Sequence, residues 1–112
     1  MKKLSIIVPC YNEEAVLAES YRRTKEVLKQ LTCPTEIIYV NDGSRDATRS
    51  ILDAISVSDP TVKVIHFSRN FGHQPAVTAG IHHCDAYLAV ILDADMQDPP
   101  ELIPYILALQ EN

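Results

Sequence analysis

Near the end of the 112-residue chain, Asp93, Asp95, Gln97, Asp98 and Glu101 follow directly on five consecutive apolar residues, 88–92. An apolar run of that length, closed by turn residues, reads as a strand buried on both faces in a parallel sheet, delivering acids at its carboxyl end. Side chains alternate along extended backbone, so Asp93, Asp95 and Gln97 fall on one side if the chain stays extended through them. Two carboxylates and an amide oxygen converging there suit a hard divalent cation, Mg2+ or Mn2+, which takes oxygen ligands and is completed by substrate phosphates. The expectation is a metal-diphosphate site. The last two acids have a structural alternative. Asp98 as N-cap, Pro99 and Pro100 behind it, and Glu101 as capping-box partner spell a helix start, and we assign them to capping. A D-x-D taken alone is weak ground for metal, because acidic pairs end many strands without binding an ion.

Composition narrows the class. Hydrophobic residues make up 46% and charged residues 22%, as in a folded domain and far from disorder. The length allows one domain at most and is small for an enzyme holding two substrates, so we expect the domain to continue past Asn112. A formal charge of -5 argues against a general nucleic-acid binder while leaving a nucleotide at a local site open. Cys10, Cys33 and Cys84 are odd in number and form no C-x-x-C pair, so neither a disulfide framework nor a zinc knuckle is indicated and a reducing cytosol fits. The apolar segment after Met1-Lys2-Lys3 is too short for a signal peptide, and no run reaches the 18 or so residues of a membrane span, so these residues are expected to be soluble.

The elements that must position the acids follow from punctuation and period. Residues 4–8 read as a buried first strand closed by Pro9. Asn12 is a candidate cap for the next helix, Glu13 and Glu14 suit its positive first turn, and Leu17, Tyr21, Leu28 and Leu31 mark its apolar face. Residues 36–40 form a second strand ending at Asn41-Asp42-Gly43-Ser44. Asp46 or Ser44 then caps a short helix that Asp59-Pro60 ends. Residues 62–67 make strand three. A polar loop, 68–75, and a short helix, 76–81, lead to strand four. A further helix near Asp98 is in tension with Pro104, which belongs in a first turn rather than an interior. Strands alternating with helices predict an α/β, Rossmann-like parallel sheet of order 3-2-1-4. Strands one and four are then neighbours whose connections leave in opposite directions, and ligands bind in the crevice at such a reversal. Pro9 to Glu13 faces Asp93 to Gln97 there, with Asp42 alongside.

Other residues invite chemistry without supporting it. His82-His83-Cys84-Asp85 has metal-binding residue types, but adjacent helix positions point in different directions. His66 and His73 have no partner visible in sequence. Tyr11 reads as strand-end packing or as a stacking surface.

Four segments now stand in order, Val8-Pro9-Cys10-Tyr11-Asn12-Glu13, Asn41-Asp42-Gly43-Ser44-Arg45-Asp46, Ser68-Arg69-Asn70-Phe71-Gly72 and the stretch from Asp93 to Glu101. Together they resemble the amino-terminal, nucleotide-binding half of family 2 glycosyltransferases of the GT-A fold, particularly the branch that moves sugars onto polyprenyl phosphates. The resemblance covers nearly all of residues 1–112, which would be the nucleotide-sugar-binding part of that domain. It implies that Pro9, Tyr11, Glu13, Val40 and Asp42 contact the nucleoside. It implies too that Asp93, Ala94 and Asp95 reach nucleoside and diphosphate, that Asp93 and Asp95 serve catalysis, and that Asp95 and Gln97 hold Mg2+ or Mn2+. The donor would be a UDP-sugar, with GDP-mannose as the alternative, and the acceptor a lipid phosphate at the cytoplasmic face of a membrane reached through residues beyond 112. An anionic acceptor needs no protein base for inverting attack. A hydroxyl acceptor would need a carboxylate from further along the fold, so these residues alone are expected not to transfer sugar. The Arg69-Asn70-Phe71-Gly72 loop reads as a structural turn. A dehalogenase-like or receiver-like phosphotransferase would place its aspartates after strand one, where Pro9-Cys10-Tyr11 stand, and no P-loop or G-x-G-x-x-G is present. A non-catalytic nucleotide-binding module is the remaining alternative.

Overall fold

Strands and helices alternate in the computed structural model, which describes residues 3–97 and 99–111. In chain order they are β1 (Leu4–Cys10), α1 (Leu17–Leu28), β2 (Thr35–Asn41), α2 (Thr48–Ser58), β3 (Val62–His66), α3 (His73–His82), β4 (Leu88–Ile91) and α4 (Ile103–Glu111). The strands form one parallel sheet of order β3-β2-β1-β4, as the sequence predicts. β1 is central. The Ile7 carbonyl accepts Leu92 N–H at 3.0 Å and the Cys10 carbonyl accepts Asp42 N–H at 2.8 Å, so odd residues of β1 bond towards β4 and even ones towards β2. Pro9, an odd residue, therefore aims its missing donor at the β4 side, past the last β1–β4 pair, Ile7 with Ile91.

Alternation along the strands builds two apolar layers. Leu4, Ile6, Val8 and Cys10 face Leu17 and Leu28 of α1, Leu52 of α2 and Ile103 of α4. On the other side Ile7, Ile38 and Val40 pack under Ala76 of α3. Gly80 permits that contact, since a Cβ there would stand 2.5 Å from Ile7 Cγ2.

The structure revises three local expectations. β4 is not buried on both faces. Ala89 is exposed and Ile91 is 43% exposed, because β4 is an edge strand and α3 packs over β1 and β2 instead. Asn12 does not cap a helix. At φ 53° it ties two loops, its N–H donating to Ser44 Oγ at 2.9 Å and its Oδ1 accepting Arg45 N–H at 2.8 Å, and α1 starts only at Leu17. α3 begins at His73 rather than residue 76, with Pro75 tolerated in its first turn. Glu101 pairs with Arg23 of α1, while the capping given to it together with Asp98 falls outside the described residues. Pro104 is second in α4, after a 3-10 turn at Pro100–Leu102, so it removes no helical bond.

Glu36, at the opposite end of the sheet from the crevice, was not foreseen from the sequence. Its side chain is 2% exposed and meets Lys3 Nζ at 3.2 Å, Lys63 Nζ at 2.9 Å, Asp85 N–H at 3.2 Å and the Ser5 hydroxyl. Burial pushes its carboxyl up, but the donors from Ser5, Lys63, Asp85 and Lys3 outweigh that and hold it at about 2. Depressed in the fold, Glu36 contributes stability that is whole above its ordinary 4.5 and fades as pH falls through about 2. Urea unfolding at neutral pH should show Glu36→Gln less stable by about 2 kcal/mol, with the gap from the parent closing between pH 4.5 and 2. A gap that stays constant with pH would contradict this.

Candidate functional site

A crevice of about 360 Å3 opens at the carboxyl ends of β1 and β4. α1 and α2 carry the chain from β1 to β3 on one face and α3 brings it back to β4 on the other, so the crevice lies where the connections reverse. Pro9, Tyr11, Glu13, Asp42, Asp93, Ala94, Asp95 and Gln97 line it, as the sequence reading placed them. Val40 does not. It is fully buried beneath α3, in the layer under the crevice. Cys10, within the segment placed there, also lines the crevice, and so do Asn70, Gly72, His73 and Ala76, which were not foreseen.

The acids converge by a different route from the predicted one. Beyond Ile91 the chain turns instead of staying extended. Met96 N–H donates to the Asp93 carbonyl at 3.1 Å, Gln97 N–H to Asp95 Oδ1 at 3.2 Å, and Met96 takes φ 62°. A side chain at positive φ costs energy, so surrounding contacts must hold the turn. Arg23 supplies them, with Nη1 3.0 Å from Met96 Sδ and its guanidinium on Glu101.

Asp42 is the wall between β2 and the loop after β3. Its carboxylate is 4% exposed and accepts Phe71 N–H at 2.7 Å, Gly72 N–H at 3.0 Å and Asn70 Nδ2 at 3.0 Å. The loop of residues 69–72 thus has the structural role expected of it, and its sequence logic is now visible. A buried acid at a strand end needs donors, and Gly72 at φ 109° lets two successive N–H groups turn towards one carboxylate. Nearby, Gly43 at φ 71° admits the same loop, since a Cβ there would lie 2.2 Å from the Arg69 carbonyl carbon. His66, without a partner in sequence, is held between Asn41 Nδ2 at 3.0 Å and Asp53 Oδ1 at 2.7 Å.

The segment after β1 is fixed to α2, where Glu13 N–H donates to Thr48 Oγ1 at 2.9 Å and Glu14 N–H to Asp46 Oδ2 at 3.2 Å. The N-cap of α2 is Ala47, neither of the two residues proposed; Asp46, one residue before it, takes Thr48 N–H at 2.9 Å, and Ser44 bonds Asn12 instead. Glu13 has its carboxyl pushed up, first by burial and then by the negative charges of Asp95, Asp46 and Asp93. The crevice is therefore short of positive charge. Among the described residues no three of His, Cys, Asp and Glu are placed to enclose a metal. Two carboxylates and an amide fit a hard cation that draws its remaining ligands from a bound phosphate. Cys10, by contrast, is an inert lining group, its thiol pushed far up by burial and by Glu13.

Fold and crevice define an α/β domain with an acidic crevice at the carboxyl ends of its parallel strands. The chain belongs to glycosyl transferase family 2, whose model matches residues 5–112. A curated relative, the uncharacterized glycosyltransferase YkcC of Bacillus subtilis strain 168, is 54% identical over 99 residues, 88% of this chain and 31% of its own length. The bactoprenol glucosyl transferase of Shigella phage SfV is 42% identical over 105 residues, 94% of this chain and 34% of its own. An undecaprenyl-phosphate 4-deoxy-4-formamido-L-arabinose transferase of Pseudomonas fluorescens strain Pf0-1 is 44% identical over 110 residues, 97% of this chain and 32% of its own. The chain thus spans about a third of the length of these relatives. Among solved structures, mannosyltransferase PcManGT from Pyrobaculum calidifontis, in complex with GDP-Man and Mn2+, matches with TM-score 0.75 at 23% identity, covering 90% of this chain and 30% of that one. S. aureus TarS 1-349 in complex with UDP-GlcNAc matches with TM-score 0.74 at 23% identity, covering 97% and 31%. At such identities they establish the fold, the amino-terminal part of the GT-A architecture.

If Asp42 holds the 69–72 loop as described, Asp42→Asn should destabilise the protein by about 2 kcal/mol and speed amide exchange at Phe71 and Gly72. Unchanged exchange at both amides would contradict that role.

Proposed function

We propose that this protein is the donor-binding part of an enzyme that moves a sugar from a nucleotide diphosphate to a polyprenyl phosphate. The observation that carries the reading is the gathering of Pro9, Tyr11, Glu13, Asp93, Asp95 and Gln97 around one crevice whose carboxylates repel one another and which no Lys or Arg lines. The names of the Shigella phage and Pseudomonas relatives support a lipid-phosphate acceptor. Tyr11, 44% exposed at the mouth, offers a face to the base, and Asp42 walls the nucleoside side without surrendering its loop bonds. Asp95 and Gln97 hold a divalent ion, Mg2+ or Mn2+, with Asp93 adding charge beside it. Bound there, the ion would stabilise the negative charge developing on the departing diphosphate as a Lewis acid. UDP is the preferred nucleotide and GDP the alternative, both found in structures of the same fold.

A lipid phosphate is already anionic at neutral pH, so its oxygen attacks the anomeric carbon in line, with inversion, and no residue need take a proton. Such an acceptor sets the whole protein at the cytoplasmic face of a membrane. No helix among the described residues is long and apolar enough to cross one. A calorimetric titration with UDP and Mn2+ tests the reading. Asp95→Ala, or a chelator, should weaken binding by about tenfold or more. Equal binding in all three conditions would favour a metal-independent binding module, and turnover of UDP-sugar by residues 1–112 alone would contradict the division between donor binding and transfer.

A further inference from the structure

Two of the five arginines, Arg22 and Arg23, are paired with glutamates on α1 or beside α4. The other three, Arg45, Arg49 and Arg69, all line a second groove of about 300 Å3, which shares Tyr11 and Asn70 with the acidic crevice. No Asp or Glu lines that groove, and among the described residues no carboxylate pairs with any of the three guanidinium groups. Arg69 lies instead over the Phe71 ring, 4.2 Å from its centroid.

The clustering is built in. Arg45 and Arg49 come from the loop after β2 and the start of α2, Arg69 from the loop after β3, and the two loops are pressed together where Gly43 leaves no room for a Cβ against Arg69. The Arg45 backbone is fixed by its bond to Asn12. In a chain of net charge -5, like charges brought together by backbone contacts and left without counter-charges mark a place for an anion. Guanidinium forks match phosphate oxygens in pairs, and the carboxylates of the neighbouring crevice would turn away a phosphate that arrives without a cation.

We propose that this groove binds a phosphate monoester, at a site distinct from the diphosphate crevice and independent of what that crevice binds. The partner chemistry is a dianionic phosphate, free or carried on a lipid, with Phe67 beside it offering apolar surface to whatever bears the phosphate.

The test is an amide NMR titration of the whole 112-residue chain with inorganic phosphate, together with sedimentation on phosphatidylcholine vesicles with and without phosphatidic acid. Phosphate should shift Gly43, Ser44 and Asn70 while leaving Asp93 and Gln97 in place, and added salt should weaken the effect. Arg49→Gln should weaken phosphate binding about tenfold, and Arg49→Lys should lose less. Because Arg49 is exposed, the thermal midpoint and the UDP titration of the Gln variant should match the parent's. Binding to phosphate alone would assign the groove to a soluble ester, and binding dependent on phosphatidic acid would assign it to a lipid-borne one. Absence of both, or shifts confined to Asp93 and Gln97, would overturn the proposal. A failed UDP titration with intact phosphate binding would count against the donor reading and leave this one standing.

Discussion

A strand with a parallel neighbour on each side sets the carboxyl ends of both neighbours beside its own. β1 is that strand. Its odd residues bond towards β4 and its even residues towards β2, so the segments leaving β1, β2 and β4 emerge together. No side chain in the crevice needs a long reach to meet the others. Pro9, Asp42 and Asp93 arrive there because the ladder register ends them there. The register holds in turn because each face of β1 is packed, by α1 on one side and α3 on the other.

Placing acids together costs free energy, and bonds across loops offset it. Asn12 joins the segment after β1 to the loop after β2, Thr48 and Asp46 fix Glu13 and Glu14, and Asp42 gathers the loop after β3. Arg23 braces the turn that presents Asp95 and Gln97. Among the described residues the carboxylates facing the crevice have no comparable set of donors, and after burial it is the negative charge of Asp95, Asp46 and Asp93 that pushes the Glu13 carboxyl up. Structural acids in this molecule, Glu36 and Asp42, are surrounded by donors; the acids of the crevice mouth face one another. That difference separates the acids that hold the fold from the acids that the proposed function assigns to a ligand.

Much of this was legible in the residues. Uniform apolar runs ended by Pro9, Asn41 and Asp93 marked the strands, and their alternation with helical patterns set the order of the sheet. An apolar run does not distinguish a central strand from an edge one, so the exposure of Ala89 and Ile91 was invisible. The residue types that cap helices also bridge loops, which is why Asn12 reads as a cap for a helix it does not serve. The turn at Asp93 to Gln97 depends on Met96 adopting a conformation that methionine rarely takes, and spacing alone pointed to an extended chain that would have delivered the same side chains. Val40 fell to a similar limit. A residue matched by motif lies next to the crevice in sequence but beneath it in space. The donors to Asp42 come from a distant loop, and only the packed structure pairs them.

The central claim is that the turn after β4 and the segment after β1 grip one ligand from two sides. Paramagnetic broadening by Mn2+ in the presence of UDP tests it most directly. The account predicts that amide signals of Ala94, Asp95 and Gln97 disappear first, that Tyr11 and Glu13 shift only when both UDP and Mn2+ are added, and that Lys63 and Asp85 at the far end of the sheet stay sharp. Broadening spread evenly over the surface acids, with Tyr11 and Glu13 unmoved, would contradict it.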